Sequence, residues 1–144
     1  MPSLNKRSLK YHLVNRTDPT QANILINIIR NAFGSKFEQM KQAYIDSLTV
    51  KCDKSFIYIV SYADDANLKQ GFATFELIFT DDASTIPEVR SLGILPEYQS
   101  MGLGTQILDD IIDSYDNICI NYADNDARGF YNKYHQNHRI HFLS

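Results

Sequence analysis

The segment Gln99-Ser100-Met101-Gly102-Leu103-Gly104-Thr105 constrains this chain more than any other. It lies between an apolar run at residues 89–95, which reads as a strand ending at Pro96, and a stretch with helical periodicity. In that stretch Leu103, Ile107, Leu108, Ile111, Ile112 and Tyr115 fall on one face. Glycines where a strand passes into a helix let the backbone approach a ligand with no Cβ in the way. The first-turn amides have no intrahelical partners and point outward at the positive end of the dipole. Backbone alone then makes a phosphate-binding arrangement. Taken singly, Q-x-x-G-x-G also fits a tight turn that binds nothing. No Gly-Lys-Ser/Thr follows, so it is not a Walker A loop, and Ile107 stands where a dinucleotide G-x-G-x-x-G fingerprint needs its third glycine.

The rest of the chain supplies the elements around this turn. Residues 9–14 read as a short strand, and Asn15-Arg16-Thr17-Asp18-Pro19 as turn and cap residues. From Thr20 the positions Ile24, Leu25, Ile28, Ile29, Ala32 and Phe33 recur at helical spacing, with Gly34 as the stop. A second amphipathic stretch carries Phe37, Met40, Ala43, Tyr44 and Leu48. Residues 56–62, 71–80 and 117–123 read as strands, and 126–135 as a short helix. The order is β-α-α-β-β-β-α-β-α with a tail, which predicts an α+β fold: a mixed sheet covered by helices.

Length and composition set outer bounds. A chain of 144 residues with no repeats or Pro/Gly-rich linkers is expected to form one domain over 1–144. Hydrophobic content of 44% with 22% charged is globular composition. No apolar run approaches the roughly 20 residues that span a bilayer, and the polar, basic start carries no secretory h-region. Cys52 and Cys119 make neither a disulfide framework nor a CxxC pair, so a reducing, cytoplasmic setting is expected. Charge is uneven: residues 1–54 hold nine Lys/Arg against four acids, residues 55–144 five against thirteen. That balance does not suit a nucleic-acid binder.

The stretch from Glu88 through Pro96-Glu97-Tyr98-Gln99 into Gly102-Leu103-Gly104 resembles motif A of the GNAT family of N-acetyltransferases. Downstream, Asn125-Asp126-Ala127-Arg128-Gly129-Phe130-Tyr131-Asn132-Lys133 is similar to the family's N-x-x-A-x-x-F-Y-x-K helix, with Asn125 one place nearer to Ala127 than usual. A strand separates the two motifs, as in the family, and the element order upstream also matches. The resemblance implies the GNAT acyl-CoA N-acyltransferase fold and acetyl transfer from acetyl-CoA to an amine, without a metal or a covalent enzyme intermediate. The alternative is a silent acyl-CoA-binding module that has kept the cofactor cleft alone.

Carried over residue by residue, the resemblance gives the amides of Met101, Gly102, Leu103, Gly104 and Thr105 the pyrophosphate, with Gln99 at the first signature position. Leu92 and Ile94 would pair their backbones with the pantetheine arm, and the Ile94 amide would bond the thioester carbonyl as an oxyanion-hole donor. Asn125 would contact pantetheine. Glu88 would be the base that deprotonates the amine, with Glu76 on the preceding strand as second choice. By period two, Glu88 is expected on one strand face with Arg90, Leu92 and Ile94. Tyr131 would donate a proton or hydrogen bond to the departing sulfur, a phenol of pKa ~10 meeting a thiolate of pKa ~8.5.

Several departures from the family pattern matter. Gln99, Ser100 and Met101 replace its basic residues, so pyrophosphate binding rests on backbone amides; Lys133 and Arg128 are within reach of the 3′-phosphate, but solvated surface charge is the favoured reading of each. The F-Y-x-K-x-G-F ending is lost at Tyr134-His135-Gln136. After His135 there is room for one further strand, near 139–143, where the family has two walling the acceptor site. A second copy of the chain completing the sheet would make up the difference. Asp81, Asp82, Glu88, Asp124 and Asp126 are expected to ring the acceptor mouth and favour a cationic amine. His135, His138 and His141 lack a companion acid or Cys and do not read as a zinc site.

Overall fold

A computed structural model of the chain describes residues 7–50, 52–65, 67–79, 86–121, 130–134 and 136–143. Six strands form one sheet in sequence order: β1 (Leu9–Leu13), β2 (Ser55–Tyr62), β3 (Ala73–Ile78), β4 (Glu88–Ile94), β5 (Ile118–Asn121) and β6 (Ile140–Leu143). β1 to β4 pair antiparallel, whereas β4–β5 and β5–β6 are parallel. The α+β mixed sheet expected from the element order is therefore present.

Helix α1 (Pro19–Phe33) starts where Asp18 accepts a hydrogen bond from the Thr20 amide and Pro19 supplies a preset φ. It ends at Gly34, whose φ of 56° is left-handed and whose amide reaches the Arg30 carbonyl. The amphipathic stretch after it does not form one helix. It breaks into α2 (Ser35–Glu38) and α3 (Gln42–Ser47), because Lys41 is extended (φ −63°, ψ 135°). The break redirects the chain so that Phe37, Met40, Tyr44 and Leu48 all still reach the cluster built on Leu25, Ile29, Ile57 and Ile59.

Helix α4 (Leu103–Tyr115) covers the other face of the sheet. Leu103, Ile107, Leu108, Ile111 and Ile112 are buried there against Val60, Leu77, Val89, Ile118 and Ile120. Ile107 and Leu108 are wholly inaccessible, and each contributes about 1.5–3 kcal/mol by leaving water. The sheet thus sits between α1 with α3 on one side and α4 on the other.

One irregularity positions everything that follows. From Glu88 to Ile94 the chain advances six residues, while their partners on β3, Ile78 and Ala73, are five apart. The extra residue is a β-bulge at Ser91, whose φ is +56°. Partners five apart on an unbulged strand lie on opposite faces. Glu88 and Arg90 consequently face the α1 and α3 side, with Glu76, while Leu92 and Ile94 pack on the α4 side. The period-two expectation that Glu88 shares a face with Leu92 and Ile94 is corrected here: the bulge resets the alternation.

Candidate active site

β4 and β5 are paired only at Glu88–Cys119 and Val89–Ile120. Beyond that point β4 runs on to Ile94 with no strand on its β5 side among the described residues. The Leu95 amide donates to the Phe72 carbonyl at 2.8 Å, so by alternation the N–H and C=O of Ile94 point away from β3, into this wedge. The Ile94 carbonyl is met there by the side-chain amide of Gln99, which donates to it at 2.9 Å.

The wedge opens into a cleft of about 500 Å³ lined by Leu92, Ile94, Gln99, Gly104 and Tyr131. Four of these are residues assigned to the cofactor from sequence, and the fifth is the expected acid. Gly102, at φ +78°, turns the chain into α4, and no side chain caps the helix. Its first turn also carries no acid, leaving the positive end of the dipole uncompensated. Gly104 sits so close to its neighbours that a Cβ would lie 3.2 Å from the Phe130 ring and 3.4 Å from Ile94. Met101 is exposed beside the turn, and Leu103 is anchored in the core, so its side chain is structural and only its amide faces outward. Thr105 follows in the same turn. Asn125, together with Asp81, Asp82, Asp124, Asp126, Arg128 and His135, lies outside the described residues.

Tyr131 is 7% exposed, and its ring meets those of Phe130 and Phe142 edge-on. Burial, with a smaller contribution from Tyr134, pushes its pKa up to about 12. The phenol is therefore held protonated throughout the neutral and mildly alkaline range.

The two candidate bases occupy the opposite face. Glu88 is 5% exposed and paired through Oε2 with Nε of Arg90, and this contact raises the Arg90 pKa. Glu76 is 6% exposed and accepts a hydrogen bond from the Ser55 hydroxyl. It lines a second cleft that also receives Arg90 and Ser91, whereas Glu88 lies behind its arginine. Cys119, opposite Glu88, is pushed up by burial, which does not suit a thiolate nucleophile.

Sequence reasoning missed part of the cleft wall. Phe33, at the end of α1, and Lys36 in α2 line the same space as Ile94. Lys36 brings positive charge to a site whose glycine turn has none. Phe33 is there because Gly93 lets α1 approach: a Cβ at Gly93 would lie 2.7 Å from the Phe33 ring. The lone signal in the sequence was Gly93 itself, inside an apolar strand.

Comparison with known proteins accords with this geometry. No curated protein sequence matches the chain. Solved structures do. An acetyltransferase from Thermus thermophilus superposes with a TM-score of 0.66 at 14% identity, covering 89% of this chain and 86% of its own. A GNAT family acetyltransferase from Elizabethkingia anophelis, solved with acetyl-CoA bound, gives 0.59 at 18% identity, covering 90% and 76%. An aminoglycoside acetyltransferase from an uncultured soil metagenomic sample, in complex with sisomicin, gives 0.61 at 13% identity, covering 94% and 95%. At such identities these neighbours speak for the fold. The sequence itself supplies the rest: residues 24–135 match the acetyltransferase (GNAT) family, and the chain belongs to that family.

Proposed function

We propose that the protein transfers an acetyl group from acetyl-CoA directly to a primary amine. The observation that carries this reading is the wedge where β4 parts from β5, with the Ile94 N–H directed into it and the uncapped turn of α4 beside it. A pantetheine arm fits as the missing strand, and a pyrophosphate fits the first-turn amides of α4 at residues 103–105. Acetyl-CoA supplies the thioester, and this chain's residues supply position and charge. The Ile94 N–H donates to the carbonyl oxygen as negative charge develops there, a contribution of about 3 kcal/mol for donors of this kind. Gln99 caps the Ile94 carbonyl until a pantetheine amide replaces it. Lys36 adds attraction for the cofactor's phosphates. Tyr131 donates to the departing sulfur.

The acceptor approaches from the α1 and α3 side, where the bulge brings Ser91 to the second cleft while Leu92 and Gly93 line the first. Glu88 takes the amine proton in this proposal, with Arg90 moving off its carboxylate; Glu76 is the rival on the same face. An amine acceptor is also the class handled by the soil aminoglycoside acetyltransferase. Release of free CoA thiol from acetyl-CoA, measured across amino acids, peptides, polyamines and aminoglycosides, tests the reading. Turnover with at least one amine is expected. Thermal stabilisation by acetyl-CoA with no release over the whole panel would mean a silent binding module. Glu88→Gln should lower kcat at least tenfold; undiminished turnover there, with loss in Glu76→Gln, would transfer the role of base to Glu76.

A further inference from the structure

The second cleft, about 400 Å³, is lined by Arg16, Tyr44, Ser47, Glu76, Arg90 and Ser91 among others. Arg16 is the unusual member. It stands in the turn between β1 and α1, yet it is only 7% exposed. One terminal nitrogen donates to the Ser55 carbonyl and hydroxyl, each at 3.0 Å, and the other to the Ser47 carbonyl at 2.8 Å. Its Nε is buried with no hydrogen-bond partner. All its hydrogen bonds among the described residues go to serine oxygens, and no described carboxylate forms an ion pair with it. Glu76 comes nearest in this network, one hydroxyl removed, through Ser55.

A buried cation normally has an anionic partner, because leaving it unpaired costs several kcal/mol. Guanidinium is also the group best shaped to receive a carboxylate by two parallel hydrogen bonds. Arg90, the other cation of the cleft, is already satisfied by Glu88. Arg16 therefore brings to the cleft wall a charge that no described carboxylate neutralises, on the wall that also carries Glu76. Tyr44, whose hydroxyl interacts with Ser91, links this wall to the bulge, and the next two residues, Leu92 and Gly93, line the first cleft.

We infer that the acceptor is an amino carboxylate, an amino-acid-like amine whose carboxylate is bound by Arg16 while Glu76 draws its ammonium group into the cleft and Glu88 takes the proton. This rests on the acetyl-transfer reading and narrows its acceptor class. A polyamine would instead set further positive charge beside two guanidinium groups.

Matched pairs test it. CoA release is measured with L-phenylalanine against phenethylamine and with L-lysine against cadaverine, each pair differing by a carboxylate. The carboxylate member should show a kcat/KM at least tenfold higher in one pair or both. Arg16→Lys should bring that ratio toward one by raising the KM of the carboxylate member. Because Arg16 also holds Ser47 and Ser55, a folding defect in that variant leaves the wild-type ratio to decide. Competition supports it further: 3-phenylpropanoate, which lacks the amine, should inhibit turnover of L-phenylalanine. Equal or better turnover of the decarboxylated amines overturns the inference while the acetyl-transfer reading stands. With no turnover of any amine that reading falls instead, and melting curves with CoA then decide this one. Stabilisation by the amino acids alone supports it, and equal stabilisation by both members overturns it.

Discussion

At the scale of single residues, the site depends on where burial and charge put a few side chains. Tyr131 is the clearest case. With its pKa at about 12, the phenol stays a donor at every pH at which the enzyme is assayed. Tyr131→Phe should lower kcat roughly 100-fold or more, the range for loss of a positioned acid, with little change in the KM for acetyl-CoA. The sign for pH follows. A group whose folded pKa is raised contributes stability below its unfolded value near 10 and loses it as pH rises toward 12. An alkaline limb in kcat near pH 10 that disappears in Tyr131→Phe would contradict this placement. Lys36 carries a second prediction. Its replacement by Gln should raise the KM for acetyl-CoA about two- to fivefold, as expected of ~0.5–1 kcal/mol from one partly screened charge. The effect should shrink as salt is raised. Neither residue's role comes from local sequence alone. Tyr131 was found through a family motif, and Lys36 had no signal, because nothing local says that α2 folds back over the glycine turn.

At the scale of elements, the periodic patterns were legible and the breaks in them were not. Helices α1 and α4 follow from apolar positions at 3.6-residue spacing and from Asp18, Pro19, Gly34 and Gly102 at their ends. Strands β1 to β5 follow from apolar runs and the polar turns between them, whereas β6 was expected only as room for one further strand in the tail. The division of the stretch after Gly34 into α2 and α3 was not legible, since Lys41 carries no breaker signal and its extended backbone serves tertiary contact with α1. Nor was the bulge at Ser91, which depends on how β4 registers against β3. Two glycines test the packing of these elements. Gly93→Ala must displace the Phe33 ring, and is expected to cost about 1–3 kcal/mol. Gly102→Val forces a β-branched residue to φ +78° and should cost at least ~1 kcal/mol. Chemical denaturation measures both. The second substitution should also weaken acetyl-CoA binding, because it shifts the amides that open α4.

At the scale of the whole molecule, ligand and fold are coupled through the wedge. A cofactor that pairs with β4 and the first turn of α4 bridges elements on either side of an opening in the sheet. Acetyl-CoA at about 100 times its Kd should therefore stabilise the folded chain by ~2.7 kcal/mol, visible as a rise in melting temperature. Amide exchange should slow most at Ile94 and residues 103–105. An unchanged melting temperature at saturating acetyl-CoA would count against the proposed cleft. The acidic half of the chain looks different at this scale. Of the acids expected to ring the acceptor mouth, Glu88 alone lies among the described residues, and it is buried against Arg90. The second cleft, where we place the acceptor, combines Arg16 and Arg90 with Glu76, which suits a zwitterion better than a polycation.

By itself the sequence determined the elements, their order, the glycine turn and the family, because those rest on spacing within a few residues or on motifs in register. It also named part of the cleft: Leu92, Ile94, Gln99, Gly104 and Tyr131 do line one space. Tertiary structure alone decided which face each group serves. One extra residue at Ser91 turns Glu88 and Arg90 away from Leu92 and Ile94, and so places the candidate base and the residues proposed to hold the cofactor on opposite faces of one strand. The choice arises from pairing between β3 and β4 and from the approach of α1 over Gly93, contacts between residues distant in the chain. Burial of Arg16 has the same origin: an arginine in a polar turn becomes a cation in a cleft, with no described carboxylate paired to it, only when β2, β3 and α3 close around it.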